Sequence, residues 1–274
     1  MEKNNNDNTF KIKGNVLTDE HIKSKTNADT LFRFLDKYEY LQEIIENKRI
    51  SPRYYTEDVS YLKRSEITKL TYPMICFCDI NLHRLKEHVK FYGSYGVAFK
   101  KQCGMKNKIQ PVHYINSDSE LCKYLSDSFI YHLENVENLN IDDVNANFLL
   151  IYLMHIKPYD GIMKRNGKSE TKCFEDECEW RYVPNIGDSY QQVYVNEDGA
   201  NLYNTVSDVL KEHEEFSLKF DYDDLKYIFV KNNDDLKKMI LLISKLFDNN
   251  KINEDEKYFL ISKIIGWDEQ MEDF

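Results

Sequence analysis

The run Phe174-Glu175-Asp176-Glu177-Cys178-Glu179-Trp180-Arg181-Tyr182 gathers more chemically useful side chains than any other short stretch of the chain. Read as an extended strand, its two-residue repeat puts Glu177, Glu179 and Arg181 on one face. Cys178, Trp180 and Tyr182 then face the other side, toward a core. Two carboxylates and a guanidinium on one face are costly to bury unless they pair or line a cleft. Paired carboxylates can separate in pKa and serve as acid and base. A glutamate on a strand can also hold a ribose hydroxyl and stabilise a cationic transition state. Glu179 and Glu177 are therefore the candidate catalytic residues. The competing reading of the same residues is a solvated or salt-bridged edge strand.

A second feature is the interleaving of Arg49, Arg53, Tyr54, Tyr55, Tyr61, Lys63 and Arg64. Such a stretch can stack a base or a nicotinamide ring and meet phosphate. An aromatic-rich crossing over the surface explains it equally well. Other chemistries lack their signatures. There is no GxSxG elbow, no GxxxxGK[ST] loop and no GxGxxG turn. Gly is 9 of 274 residues, about half its usual share, which disfavours glycine-rich phosphate loops. The seven histidines are spread singly, and His83 and His88 are five apart, so they do not share a helix face as i,i+4 ligands would. Cys76, Cys78, Cys103, Cys122, Cys173 and Cys178 form no zinc-type spacing. No metal is expected, and the cysteines read as reduced, buried residues of a cytoplasmic protein.

The elements that must position these residues follow from hydrophobic patterning. Residues 1–26 are polar, rich in Asn and Lys and without periodicity, and read as a flexible arm with no apolar signal segment. No run approaches the roughly 18 apolar residues of a membrane span. Residues 31–35 suit a strand and 38–47 a helix that stops before Pro52. Residues 53–70 read as an irregular crossing. Residues 73–78 read as a buried strand, 79–92 as a helix, and 97–99 and 112–115 as short strands. Two helices are expected at 118–134 and 142–156, then a loop from Lys157 to Glu175. Strands are expected at 179–183, 216–220 and 227–230, with a short helical start at 221–225. The chain closes with a helix pair within 234–274, at 234–247 and 253–265. The whole reads as one α+β domain over 27–274 with a mixed sheet. Lys and Arg number 37 against 47 Asp and Glu, a net charge of −10. This argues against a dedicated duplex-DNA binder.

Several segments together resemble the AbiGi-type abortive phage resistance proteins. They are TLFRFL (30–35), ENKRISPRYYTEDV (46–59), PMICFCDI (73–80), HVKFYGSYGVAFKKQCGMKN (88–107), PVHYIN (111–116), KPYDG (157–161), FEDECEWRYVP (174–184) and DYDDLKYIFV (221–230). The order and spacing of these pieces, from about residue 29 to 231, carry the resemblance. Members of that family are described as antitoxins, partners of a toxin in a bacterial two-gene locus.

A looser similarity is to ADP-ribosyltransferases of the DarT kind. It implies a split mixed sheet, a helical insert and NAD as the substrate that donates ADP-ribose. By that similarity Glu179 is the transfer glutamate, with Glu177 beside it. Arg33, Arg53 and Arg181 would meet NAD, and Tyr92 and Tyr95 would wall the cleft. This chain has Arg33 and Leu35 where the first strand of those groups usually carries His and Thr. Two functions stay open: an anti-phage enzyme modifying a nucleic-acid or protein target, and a non-catalytic antitoxin that binds a cognate toxin from the same operon.

Overall fold

The structure, a computed structural model, describes residues 27–134, 144–165, 168–187, 189–196 and 199–268. The expected arm at 1–26 and the last residues of the expected terminal segment, 269–274, lie outside the described residues. Strands β1 (Thr30–Leu35), β4 (Lys69–Cys78), β5 (Tyr95–Lys100), β11 (Glu179–Tyr182) and β14 (Leu225–Val230) build the centre of a nine-stranded sheet. Its main path runs β15-β14-β5-β1-β4-β11-β6, with β6 at Gln110–Pro111 and β15 at Ile264–Gly266. Only β14 and β15 pair in parallel along it, so the sheet is mixed.

Strand β4 is the branch point. Its second half pairs with β11, from Cys78 opposite Glu179 to Ile75 opposite Tyr182. Its first half pairs with β3 (Arg53–Asp58) and β12 (Tyr194–Val195). Pro73 has no N–H to offer a ladder, and it lies next to the point where β4 exchanges partners. Against β1 the strand is joined only at Phe32 and Cys78, whereas β1 pairs with β5 along its whole length.

Register sorts the side chains onto two faces, because residues directly opposite each other share a face. Leu31, Leu35, Ile75, Phe77, Val97, Phe99 and Ile228 form the core of one face. Helices α1 (Tyr38–Asn47), α7 (Asn233–Asp248) and α8 (Glu254–Ile261) cover it through Leu41, Ile45, Met239, Ile243 and Leu260. On the other face, Phe32, Cys78, Ala98 and Phe229 pack against α2 (Lys86–Tyr92) and Trp267. Farther along that face, Tyr72 and Met74 pack with α4 (Glu120–Glu134) and α5 (Val144–Leu153). At the turn after α2, Gly93 has φ +123°, and a Cβ there would lie 2.1 Å from the Leu35 carbonyl oxygen. Only glycine fits that position.

Several expected elements differ. The irregular crossing at 53–70 contains β3, whose Arg53 and Tyr55 leave a polar outer edge that hid its period. The helix expected over 79–92 is a 3₁₀ turn at Leu82–Arg84 followed by α2. The loop expected over Lys157–Glu175 contains β8 (Ile156–Pro158), β9 (Asp160–Arg165) and β10 (Lys168–Cys173). Strand β8 pairs in parallel with β7 (His113–Ile115), and β9 and β10 form a hairpin. Strand β13 (Leu218–Lys219) pairs with β2 (Arg49–Ile50). Helices α3 (Lys101–Lys106) and α6 (Ala200–Lys211) fall where no helix was expected. The final helix ends at Ile261 and the chain turns into β15, so Ile264 and Ile265 serve the sheet rather than a helix stripe.

Candidate functional site

Glu179 and Arg181 project from β11 on the face that carries Cys78 and Cys76 of β4. Trp180 and Tyr182 point the other way, into the rim of the first core. Glu177 does not belong to the strand. It ends a 3₁₀ turn at Phe174–Glu177, and Cys178 follows in the left-handed conformation at φ 42° and ψ 51°. The expected alternation of three charges along one strand therefore holds for two. The turn swings Glu177 back so that its carboxylate still meets Glu179's neighbour, Lys157.

Lys157 is the hub that sequence reasoning missed. It lies on β8, and its Nζ donates to Glu177 Oε2 at 2.9 Å and to Glu179 Oε2 at 2.9 Å. Lys172 of β10 donates to Glu177 Oε1 at 2.6 Å, and the Tyr92 hydroxyl donates to the same oxygen. The Arg181 guanidinium is wholly buried, at 0% exposure. Its Nε donates to Glu179 Oε1 at 2.7 Å, and its Nη2 reaches Glu179 Oε2 at 3.2 Å and Glu57 Oε2 at 2.8 Å. Its Nη1 donates to the Tyr72 hydroxyl at 2.6 Å and to the Met154 carbonyl at 3.0 Å. All five N–H donors of a guanidinium are thereby used inside the protein. The Tyr114 hydroxyl accepts the Glu179 backbone N–H at 2.8 Å.

The cluster counts three carboxylates, Glu57, Glu177 and Glu179, against three cations, Lys157, Lys172 and Arg181. Burial pushes the Glu179 carboxyl up, but Arg181 and Lys157 outweigh it and hold it well below the usual carboxylate range. Glu177 is lowered in the same way, with Lys157 and Lys172 overcoming burial. Burial disfavours the Lys157 ammonium, yet Glu179, Glu57 and Glu177 raise it well above the ordinary lysine value. Burial and the Glu177 charge push the Tyr92 hydroxyl up. Glu177 and Glu179 are thereby held as carboxylates, Lys157 as an ammonium and Tyr92 as a neutral hydroxyl. A low-dielectric cluster of this kind is stable only when complete, because removing one partner leaves a buried charge alone.

The remaining expected site residues lie elsewhere. By register Arg33 pairs with Val97, on the face opposite Glu179, so the expected cleft shared by Arg33, Glu179 and Arg181 does not form. Its Nη1 donates to the Cys76 carbonyl at 3.1 Å, across the gap where β1 leaves β4, and its buried Nε has no hydrogen-bond partner. Arg53 reaches outward to α6, to Asp208 at 3.0 Å and Asn204 at 3.4 Å. Tyr95 donates to Asp235 of α7 at 2.8 Å, and burial with that carboxylate pushes its hydroxyl up to about 12. Tyr92 and Arg181 are thus the two expected NAD contacts that meet Glu177 and Glu179, and Arg181 has no donor left for a ligand. The five residues do not converge on one NAD site. Among the described residues there is also no group of three or more His, Cys, Asp or Glu placed to hold a metal ion. No helix among them is long and apolar enough to cross a membrane. Lys157 carries no local signal in the sequence, since a single lysine between Ile156 and Pro158 looks like any loop residue.

A mixed α+β sheet with an internally neutralised ionic cluster on one face defines the architecture, and comparison with known proteins places it. A model of the family described as "Putative abortive phage resistance protein AbiGi, antitoxin" matches residues 48–231. The "Abortive phage resistance protein AbiGi" of Lactococcus lactis subsp. cremoris is 34% identical over 247 residues, covering 81% of this chain and 98% of that protein. The chain belongs to the AbiGi family of abortive phage resistance proteins. No solved structure matches it significantly.

Proposed function

We propose that this protein is the antitoxin of a two-component abortive-infection system and acts by binding a cognate toxin rather than by catalysis. The observation that carries the reading is the closure of the ionic cluster. Both oxygens of Glu179 and all five donors of Arg181 are engaged within the chain. A carboxylate that is to stabilise an oxocarbenium ion must face the substrate, and Glu179 faces Arg181 and Lys157 instead. The family description supports the same role. So does the net charge of −10, which suits the masking of a basic toxin surface.

The ADP-ribosyltransferase reading keeps one specific observation in its favour. The sheet opens between β1 and β4 beyond Phe32 and Cys78, and the unpartnered Nε of Arg33 lies at that opening. On that reading NAD is the donor substrate and a nucleic-acid or protein target the acceptor. The two readings separate in one experiment. The neighbouring toxin gene is expressed with and without this chain, and the purified chain is incubated with NAD and host RNA, DNA and protein. The antitoxin reading expects restored growth and no ADP-ribosyl adduct by mass spectrometry. An adduct formed by the chain alone would overturn it.

A further inference from the structure

We propose that Tyr190 is a nucleophile activated by His213 and Glu215, at which this chain takes up an acyl group from an uncharged activated acyl donor, an ester or thioester. The site shares no residue with the Glu179 cluster and goes beyond the binding of a toxin. Tyr190 lies between β11 and β12, and its N–H donates to the Ile186 carbonyl at 2.8 Å. His213 sits just past α6, with its N–H on the Leu210 carbonyl at 3.1 Å, and a 3₁₀ turn at Glu214–Phe216 follows. A small core of Tyr54, Ile186, Tyr203 and Leu210 holds both segments, and Tyr190 and Phe216 pack against it. The Tyr190 ring meets His213 edge-on at 5.3 Å and Phe216 edge-on at 6.1 Å. Its hydroxyl oxygen lies 2.6 Å from His213 Nε2, and His213 Nδ1 lies 3.0 Å from Glu215 Oε1.

The carboxylate fixes the direction of both bonds. Its own backbone N–H and His213 hold the Glu215 carboxyl below the usual range, so it is ionised and can only accept. In the neutral imidazole Nδ1 therefore carries the proton, and Nε2 offers the lone pair that accepts the Tyr190 O–H. A hydroxyl on a base, with the base oriented by a third group, is the arrangement that activates a weak nucleophile. Tyr92 and Tyr95 differ, because their hydroxyls donate to carboxylates, and burial with that charge pushes them up. The triad also faces solution: the side chains of His213 and Glu215 are 37% and 63% exposed, and Tyr190 is half-buried. In the step, the Tyr190 oxygen bonds to the acyl carbon as the bond from that carbon to the leaving group breaks. The phenol proton passes to His213 Nε2 and from there to the leaving group. Charge argues for an uncharged donor. A phosphoryl donor needs cations, but Arg49 and Lys219 are paired with Glu214, Lys211 is paired with Glu43, and Glu215 adds a negative charge.

The test uses the full chain with N-acetylimidazole as the acyl donor, and peptide mass spectrometry follows the O-acetylation of each tyrosine with time. Tyr124 of α4 and Tyr258 of α8, 67% and 60% exposed, are the internal references. Exposure alone would make both react faster than half-buried Tyr190. Help from a positioned general base is worth about 10²–10⁴, so Tyr190 is expected to react at least about tenfold faster than either reference. His213→Gln removes the base and is expected to bring Tyr190 down to the reference rate or below it, with Tyr124 and Tyr258 unchanged. Glu215 is a positioning residue. Glu215→Gln no longer forces the proton onto Nδ1, and its Tyr190 rate is expected to fall between those of the wild type and His213→Gln. Acetylation of Tyr190 no faster than Tyr124 and Tyr258 in the wild type would overturn the proposal. So would a fast Tyr190 that keeps its rate in His213→Gln. Should His213→Gln unfold at the assay temperature, Glu215→Gln at its exposed position decides, and an unchanged ratio of Tyr190 to the references there would overturn the proposal as well.

Discussion

Replacing Glu179 by Gln separates a structural cluster from a catalytic one. The substitution keeps the shape of the side chain and one acceptor oxygen, but it puts an NH₂ where an oxygen now accepts from Arg181 or Lys157. At least one strong donor then faces another donor, and Arg181 keeps Glu57 as its single charged partner. Taking one charge out of a buried pair costs about 3–5 kcal/mol, and the retained oxygen places this case near about 3 kcal/mol. Unfolding entropy near the melting point is about 2.1 cal/mol/K per residue. Over 274 residues this makes 1 kcal/mol worth roughly 2 °C, so E179Q should lower Tm by about 5 °C. The assay is a calorimetric melt of wild type and variant in one buffer. A variant that melts within about 1 °C of wild type would refute the argument that Glu179 is held for structure.

Four further outcomes follow from the same geometry. Glu177 and Glu179 have folded pKa values below their unfolded ones, so the unfolded chain binds protons first as pH falls. Their contribution is complete above the unfolded value of about 4.3 and is lost below it. Tm should therefore drop steeply from about pH 5 to about pH 3, and less steeply in E179Q. Lys157→Met leaves Glu177 and Glu179 facing each other without their shared cation; its melting loss should shrink when Glu177→Gln is added, a coupling that a double-mutant cycle reads directly. Arg53→Ala removes a half-exposed pair with Asp208 and should cost no more than about 1 kcal/mol in a denaturant melt. Gly93→Ala meets the Leu35 carbonyl at 2.1 Å in a left-handed backbone, so it should cost several times as much as Arg53→Ala, about 3 kcal/mol or more.

Sequence periodicity located the elements whose apolar pattern is undiluted. Helix α1 was expected at 38–47 and is found there, and α7 lies within one residue at each end of the expected 234–247. The Asn232 cap, which accepts the Asp235 N–H, marks the start of α7. Strand β3 escaped because a strand paired on β4 with one polar side shows no clean alternation. The β9–β10 hairpin escaped because its residues, DGIMKR and KSETKC, have little apolar content to reveal a period. At the site, Glu179 and Arg181 were legible from two-residue spacing, and Glu177 was placed in the right cluster for the wrong reason. The left-handed Cys178 breaks the strand at a residue type that gives no warning. Lys157, Lys172 and Glu57 were invisible because they arrive from three different elements. Arg33 was misplaced by one residue of register, which moves a side chain to the other face of a sheet.

On the antitoxin reading, the protein works by holding a toxin and its charged cluster serves only to hold the protein itself. The most direct measurement is neutralisation by a cluster variant below its melting temperature. Wild type and E179Q are each co-expressed with the neighbouring toxin at a temperature where the purified variant is fully folded. NAD consumption is followed in the same lysates. On that reading E179Q restores growth as well as wild type does, and neither consumes NAD. Loss of neutralisation in folded E179Q, together with NAD turnover by wild type alone, would contradict it.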